Sequence, residues 1–270
     1  MTLLAVVLGL LIGLVVGALG GGGSVLTVPA LVFALGLTAQ AATTASLVIV
    51  GITSGVASVA HARSGHTRWR EGGLLAAAGI PASLSGTWLN QLVEEDVLLL
   101  AFAALMLVAA AGMLLRPAAA GTAPDGIAPD GIAPDGGDVP AGAGGGGRHW
   151  LRLSLAGSGI GFLTGFLGVG GGFVIVPALV LALRFPIAAA VGTSLMVIAL
   201  NAVVALLARA GTGGFEWDVI VPFTTAAVLA SLLGKRVADR LPSHRLTQGF
   251  AVLLVLVAAY VGVRAVLGLI

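Results

Sequence analysis

Cysteine is absent from the 270-residue chain and tyrosine occurs once. A thiol relay and a cysteine metal site are thereby excluded, and nothing about redox compartment can be read from thiols. Charge is scarce for the size: 9% of residues are Asp, Glu, Lys or Arg, and none of them falls between Met1 and Ala60. A net charge of +2 offers little to nucleic acid, which is not expected as a partner. Against these absences stand 58% hydrophobic residues, well above the share in soluble domains. The chain reads as an integral membrane protein with the lipid bilayer as its surroundings.

The few charges cluster, leaving uncharged stretches at 1–60, 72–93, 97–115, 153–183, 185–208, 219–234 and 246–263. A bilayer core of about 30 Å takes roughly 20 helical residues to cross, so most of these are one span and the longest hold more. The stretches do not alternate as barrel strands would. The opening segment has no basic region ahead of its apolar run and is read as mature protein, not a signal peptide. The expected fold is an all-α polytopic membrane protein.

The chain is also a tandem duplication. Gly-Ala-Leu-Gly-Gly-Gly-Gly-Ser-Val-Leu-Thr-Val-Pro-Ala-Leu-Val at 17–32 returns as Gly-Phe-Leu-Gly-Val-Gly-Gly-Gly-Phe-Val-Ile-Val-Pro-Ala-Leu-Val at 165–180, an offset of 148 positions. The offset persists far beyond the motif, matching Ser46 to Ser194, Trp69 to Trp217, Gly86 to Gly234 and Arg116 to Arg264. Residues 1–116 and 151–270 are the two membrane repeats. Between them, 117–150 carry Ala-Pro-Asp-Gly-Ile repeats and a glycine run, a composition that buries almost nothing apolar and behaves as a linker.

Loop charge orients the repeats. Residues 60–71 carry Arg63, Arg68 and Arg70, whereas the matching 208–218 set Arg209 against Glu216 and Asp218. The next pair reverses: 87–96 hold Glu94, Glu95 and Asp96 with no basic residue, and 235–245 hold Lys235, Arg236, Arg240 and Arg245. By the positive-inside rule the repeats are inverted, with 60–71, the linker and 235–245 cytoplasmic and both termini outside. His61 and His66 are read as topology or surface groups in the basic loop. Inversion needs an odd number of crossings per repeat, met by spans at 41–60, 72–91 and 97–115 and again at 188–208, 219–235 and 246–263. The glycine segments are then hairpins, re-entrant or fully spanning. The second arms, 25–35 and 173–183, would be only about 16 Å long, which favours tips near the midplane that meet from opposite faces.

Irregular backbone at membrane depth survives only where protein or a watery cavity satisfies it. Gly20, Gly21, Gly22 and Gly23 and, in the second repeat, Gly168, Gly170, Gly171 and Gly172 are therefore candidate substrate-binding positions with exposed amides. Ser24 occupies an N-cap position from which a helix start would aim its positive end at an anion. The first arm also ends there, and its carbonyls would attract a cation. Close helix packing by small residues is the alternative role for these glycines. Ser46, Thr193, Ser194 and Asn201 add matched hydroxyl and amide groups that could line a polar path, though hydroxyls also bond their own helix. No charged residue falls in the middle of a span, so no intramembrane carboxylate relay is evident. No metal ligand set, cofactor or catalytic residue is called for, and a carrier rather than an enzyme is expected.

The paired Gly-x-Gly-Gly-Gly tips with Pro29 and Pro177, the Ser46-Leu47 and Thr193-Ser194-Leu195 segments, and Gly86 and Gly234 resemble the TauE/SafE sulfite-exporter family, also called TSUP. The resemblance covers nearly everything but the linker, which is longer than usual for the family. It implies a bacterial inner-membrane carrier for a small sulfur-containing anion such as sulfite or an organosulfonate. The family motif falls on Gly20, Gly22, Gly23, Pro29, Gly168, Gly170, Gly171, Gly172 and Pro177. Export of such an anion is favoured by about 2.3 kcal/mol per charge per 100 mV without a coupling ion. Uptake by cation symport and a membrane scaffold without substrate are the alternatives. The oligomeric state stays open, with a homodimer as the candidate.

Overall fold

A computed structural model describes residues 2–20, 23–65, 67–90, 92–93, 95–115, 146–167, 172–208 and 215–268. These form ten α-helices, with no strand among the described residues. In the first repeat they are α1 (Thr2–Leu19), α2 (Gly23–Pro29) continuing as the π-helical turn Ala30–Ala34, α3 (Ala39–Arg63), α4 (Trp69–Asn90) and α5 (Glu95–Leu115). The second repeats the order as α6 (Gly146–Leu167), α7 (Gly172–Leu181), α8 (Ile187–Ala208), α9 (Trp217–Arg240) and α10 (Ser243–Gly268). Helix α6 begins inside the stretch assigned from composition to the linker, because glycines at a helix start cost little once an apolar run follows.

Among the described residues, five helices are long and apolar enough to cross a membrane: Thr2–Leu19, Ala41–Arg63, Ile187–Leu207, Trp217–Arg240 and Ser243–Val263. The outward faces of these helices and of α4 and α5 carry large apolar side chains, and Leu3, Leu84, Leu115 and Leu207 are each at least 70% exposed. Such a surface is unsuited to water and suited to lipid.

The hairpins differ from two equal arms. Helix α1 has 18 residues and α6 has 22, lengths of about 27 and 33 Å, enough for a whole bilayer core. The returning arm α7 has 10 residues, about 15 Å. Each hairpin thus has one long and one short arm. Pro29 lies at the junction of α2 with the π turn, where its missing N–H and its ring disturb the regular ladder. Pro177 is held inside α7 without such a change.

The long arms pack on the other repeat. Residues Gly9, Gly13 and Gly17 of α1 lie against Phe223, Ala227 and Ser231 of α9, and Gly234 returns the contact against Leu14. The matching set is Gly157, Gly161 and Gly165 of α6 against Leu75, Gly79 and Ser83 of α4, with Gly86 against Phe162. In both pairs residue numbers rise together, so the helices run parallel, and a Cβ at these glycines would strike the neighbour's backbone. Helices α3 and α8, which occupy equivalent places in the two repeats, cross antiparallel: Gly51 meets Ala202 and Gly55 meets Ala199. Helices α5 and α10 pack on each other, and so do the short arms α2 and α7.

Candidate functional site

Helix α1 ends where the first glycine cluster begins. The last carbonyls of any helix lack partners within it, and here two carbonyls at that end receive donors and a third has a hydroxyl beside it. The amide of Gly20 donates to the carbonyl of Val16 at 2.9 Å. The ring Nε2 of His61, near the end of α3, lies 3.1 Å from the carbonyl of Gly17; a carbonyl can only accept, so Nε2 carries the proton. The hydroxyl of Ser194 lies 3.5 Å from the carbonyl of Gly20 while donating to its own helix at the Val191 carbonyl, 2.8 Å away.

Backbone geometry makes this meeting possible. Gly20 has φ +80°, a left-handed conformation that glycine adopts without the Cβ clash. A Cβ there would also sit 2.8 Å from the side chain of Val191 and 3.0 Å from the hydroxyl of Ser194. Gly23 then lets α2 fold back directly onto Val16, and Thr27, fully buried, donates its hydroxyl to the Gly23 carbonyl at 2.6 Å.

The start of α4 closes the same region. The backbone N–H of Arg68 donates to the Thr193 hydroxyl at 3.2 Å. Its guanidinium stands 4.4 Å over the ring of the buried Phe185 and 3.2 Å from Glu71. Gly72 brings α4 against Thr193 and Met196. At the same end of the bundle Lys235 Nζ donates to the Ser64 hydroxyl at 2.8 Å and pairs with Asp239 at 2.6 Å. The two basic loops, 60–71 and 235–245, are neighbours.

Of the candidate binding residues, Gly20, Thr193 and Ser194 are therefore brought together, with both side chains fully buried. Gly23 joins them through the turn. Ser46, also buried, bonds the Thr43 carbonyl of its own helix at 2.9 Å. Asn201 lies two turns further along α8, near the α3 crossing, with its buried Oδ1 unpartnered. Gly21, Gly22, Gly168, Gly170 and Gly171 lie outside the described residues; Ser24 is the second residue of α2 and Gly172 the first of α7, both helical backbone.

One expectation is corrected. His61 is not a surface or topology group: it is 3% exposed and faces the first hairpin. Helix α3 runs to Arg63, so the histidine stays inside the bundle where a shorter span would have left it in the loop. Its sequence signal was the offset itself, which matches His61 to Arg209. His66 lies outside the described residues. On α3 the buried hydroxyl of Thr53, which the offset matches to Asn201, has no partner, and Ser54 and Ser58 beside it, which the sequence reading missed, have none either.

A family model described as "Sulfite exporter TauE/SafE" matches residues 5–261. A "Probable membrane transporter protein" of Xylella fastidiosa strain Temecula1 is 32% identical over 258 residues, covering 93% of this chain and 91% of the relative. Its counterpart in strain 9a5c is 31% identical over the same share. The "Probable membrane transporter protein YunE" of Bacillus subtilis strain 168 is 25% identical over 265 residues, covering 93% of this chain and 94% of the relative. No solved structure matches.

Proposed function

Because the chain belongs to the sulfite exporter TauE/SafE family and is a membrane transporter, we propose that it carries a small sulfur-containing oxyanion, sulfite or an organosulfonate, outward across a bacterial inner membrane. The observation that carries this reading is the carbonyl end of α1. Two of its acceptors are met by the Gly20 amide and the His61 ring, and the Ser194 hydroxyl stands beside a third. A coupling cation seeking carbonyl ligands would have to displace these donors, and the same hydroxyl, amide and imidazole groups are the ones an anion would recruit from their present bonds.

The repeats are inverted about an axis in the membrane plane. Antiparallel crossing of the equivalent helices α3 and α8 supports this, as does the shared location of the basic ends Ser64 and Lys235, which we place in the cytoplasm. Substrate sites between inverted repeats built on interrupted helices are a recurrent solution for carriers. Gly21, Gly22, Ser24 and the second-repeat cluster Gly168, Gly170, Gly171 and Gly172 complete the proposed site, with Ser46 and Asn201 along its path.

The test is a thermal-stability and calorimetric screen of purified protein against sulfite, sulfate, thiosulfate and small sulfonates. Saturable stabilisation by one or more of them is expected. Absence of binding to every one of these anions overturns the reading.

A further inference from the structure

We propose that His61 is the proton-binding group of the first hairpin, so that anion binding beside Gly20 and Ser194 is linked to proton uptake; this rests on the anion-carrier reading above. The negative end of a helix favours a cation placed on its last carbonyls. His61 sits there, bonded to the Gly17 carbonyl at 3.1 Å, and histidine is the side chain whose charge changes near neutral pH.

The neutral ring already donates through Nε2, so proton uptake leaves that bond in place. It adds a full positive charge at the tip. Protonation therefore offsets the negative carbonyl end of α1 and supplies the counter-charge that an oxyanion at the tip needs. Without it the anion faces a helix end of its own sign. The sign follows: anion affinity rises as pH falls, and bound anion in turn strengthens proton binding.

His61 is the histidine bonded to the α1 carbonyl end, while α10, which touches Leu19 through Gly249, carries His244 and Arg245 in its first turn. Helices α1, α2 and α8 contain no titratable side chain. Helix α9 contributes Lys235, bonded to Ser64 and Asp239, and beyond them Arg236 and Arg240. Arg68, just ahead of α4, pairs with Glu71, α4 carries Arg70 in its first turn, and α3 itself ends in Arg63. The second repeat has arginine, a permanent cation, at the position matching His61. The repeats thus differ at this place in whether the charge can be switched.

The experiment uses full-length protein in detergent with sulfate and methanesulfonate, whose own charges stay constant between about pH 5.5 and about pH 8, the range a histidine spans. Calorimetry at each pH reads affinity, and repeating it in two buffers of different ionisation heat counts protons. Wild type is expected to bind about tenfold more tightly at the acid end, a typical coupling, taking up a proton with the anion. His61→Gln keeps an N–H donor without titration and should give a flat, weak profile; His61→Arg should give a flat, tight one.

Saturable wild-type binding that is independent of pH and releases or takes up no proton overturns the role of His61 while leaving the carrier reading intact. An unchanged pH profile in both variants does the same. Should both variants fail to fold, the proton count is repeated in His66→Gln and His244→Gln: a count that persists in both supports His61, and one that vanishes in either overturns its role. No saturable binding at any pH overturns the carrier reading and this inference together.

Discussion

Arg184 has φ 55°, the one positive value at a non-glycine among the described residues. It closes the short arm α7, where Phe185 N–H donates to the Leu179 carbonyl at 3.0 Å. The matching position in the first repeat is Gly36, φ 71°, with Leu37 N–H donating to the Leu31 carbonyl at 3.1 Å. The same helix stop is thus made once with glycine and once with a residue that bears the Cβ penalty. Arg184→Gly should stabilise the protein by about 1 kcal/mol, visible as a higher melting temperature in detergent. No increase would mean that the arginine side chain repays its backbone strain through contacts of its own. At Gly20 the same logic runs the other way: Gly20→Val meets a left-handed φ, Val191 and Ser194 at once, and anion binding is expected to be lost even where the protein still inserts.

At the scale of helices, the two parallel pairs are held by backbone approaching backbone. Lipid gives apolar helices no hydrophobic reason to associate, so close packing of small residues takes over. Gly13→Leu would drive a branched side chain into the Ala227 backbone, and Gly161→Leu into that of Gly79. Each should cost at least about 3 kcal/mol and lower the yield of folded protein; size-exclusion profiles and melting curves read this. Because the contacts are matched across the repeats, the two substitutions should do comparable damage, and a harmless one would break the equivalence. Helix α3 makes a separate case. Thr53 is 1% exposed with an unpartnered hydroxyl, which costs stability unless function requires it. Thr53→Val should raise stability by about 1 kcal/mol and slow anion flux in vesicles. Faster or unchanged flux would remove the hydroxyls of α3 from the path.

For the whole molecule, exchange of the long arms means that neither repeat packs its own long arm as it does its partner's. Helix α1 rests on α9 and α6 on α4, so residues 1–116 or 151–270 expressed alone should be degraded, while co-expression of both should restore anion binding without any covalent link. Shortening 117–145 to a flexible tether that still joins the repeats should likewise leave flux nearly unchanged, since that composition has no apolar face. The absence of cysteine makes the orientation directly measurable. Single cysteines at Asp239 and Glu216 should react with a membrane-impermeant maleimide from the cytoplasmic and the outer side respectively. Labelling of both from one side would reject inversion.

The polytopic helical class and the duplication were legible in the sequence, because apolar runs and a constant offset are local properties that survive any packing. The span at 41–60 and its partner at 188–208 were found to within a few residues for the same reason. The depth of the first glycine tip was not legible, since the full-length α1 brings Gly20 to the end of the bundle where Ser64 meets Lys235. Charge asymmetry, also local, pointed to basic loops on one face before Ser64 and Lys235 were seen to touch. Tertiary structure decided the rest. A glycine's neighbour cannot be read from its own surroundings, so the exchange of α1 onto α9 and of α6 onto α4 appears only once the helices are assembled. His61 looked like a loop residue because a helix end is set within a turn or so by what packs against it. Two further residues of α3 placed the ring inside the bundle, against a carbonyl 44 positions earlier in the chain.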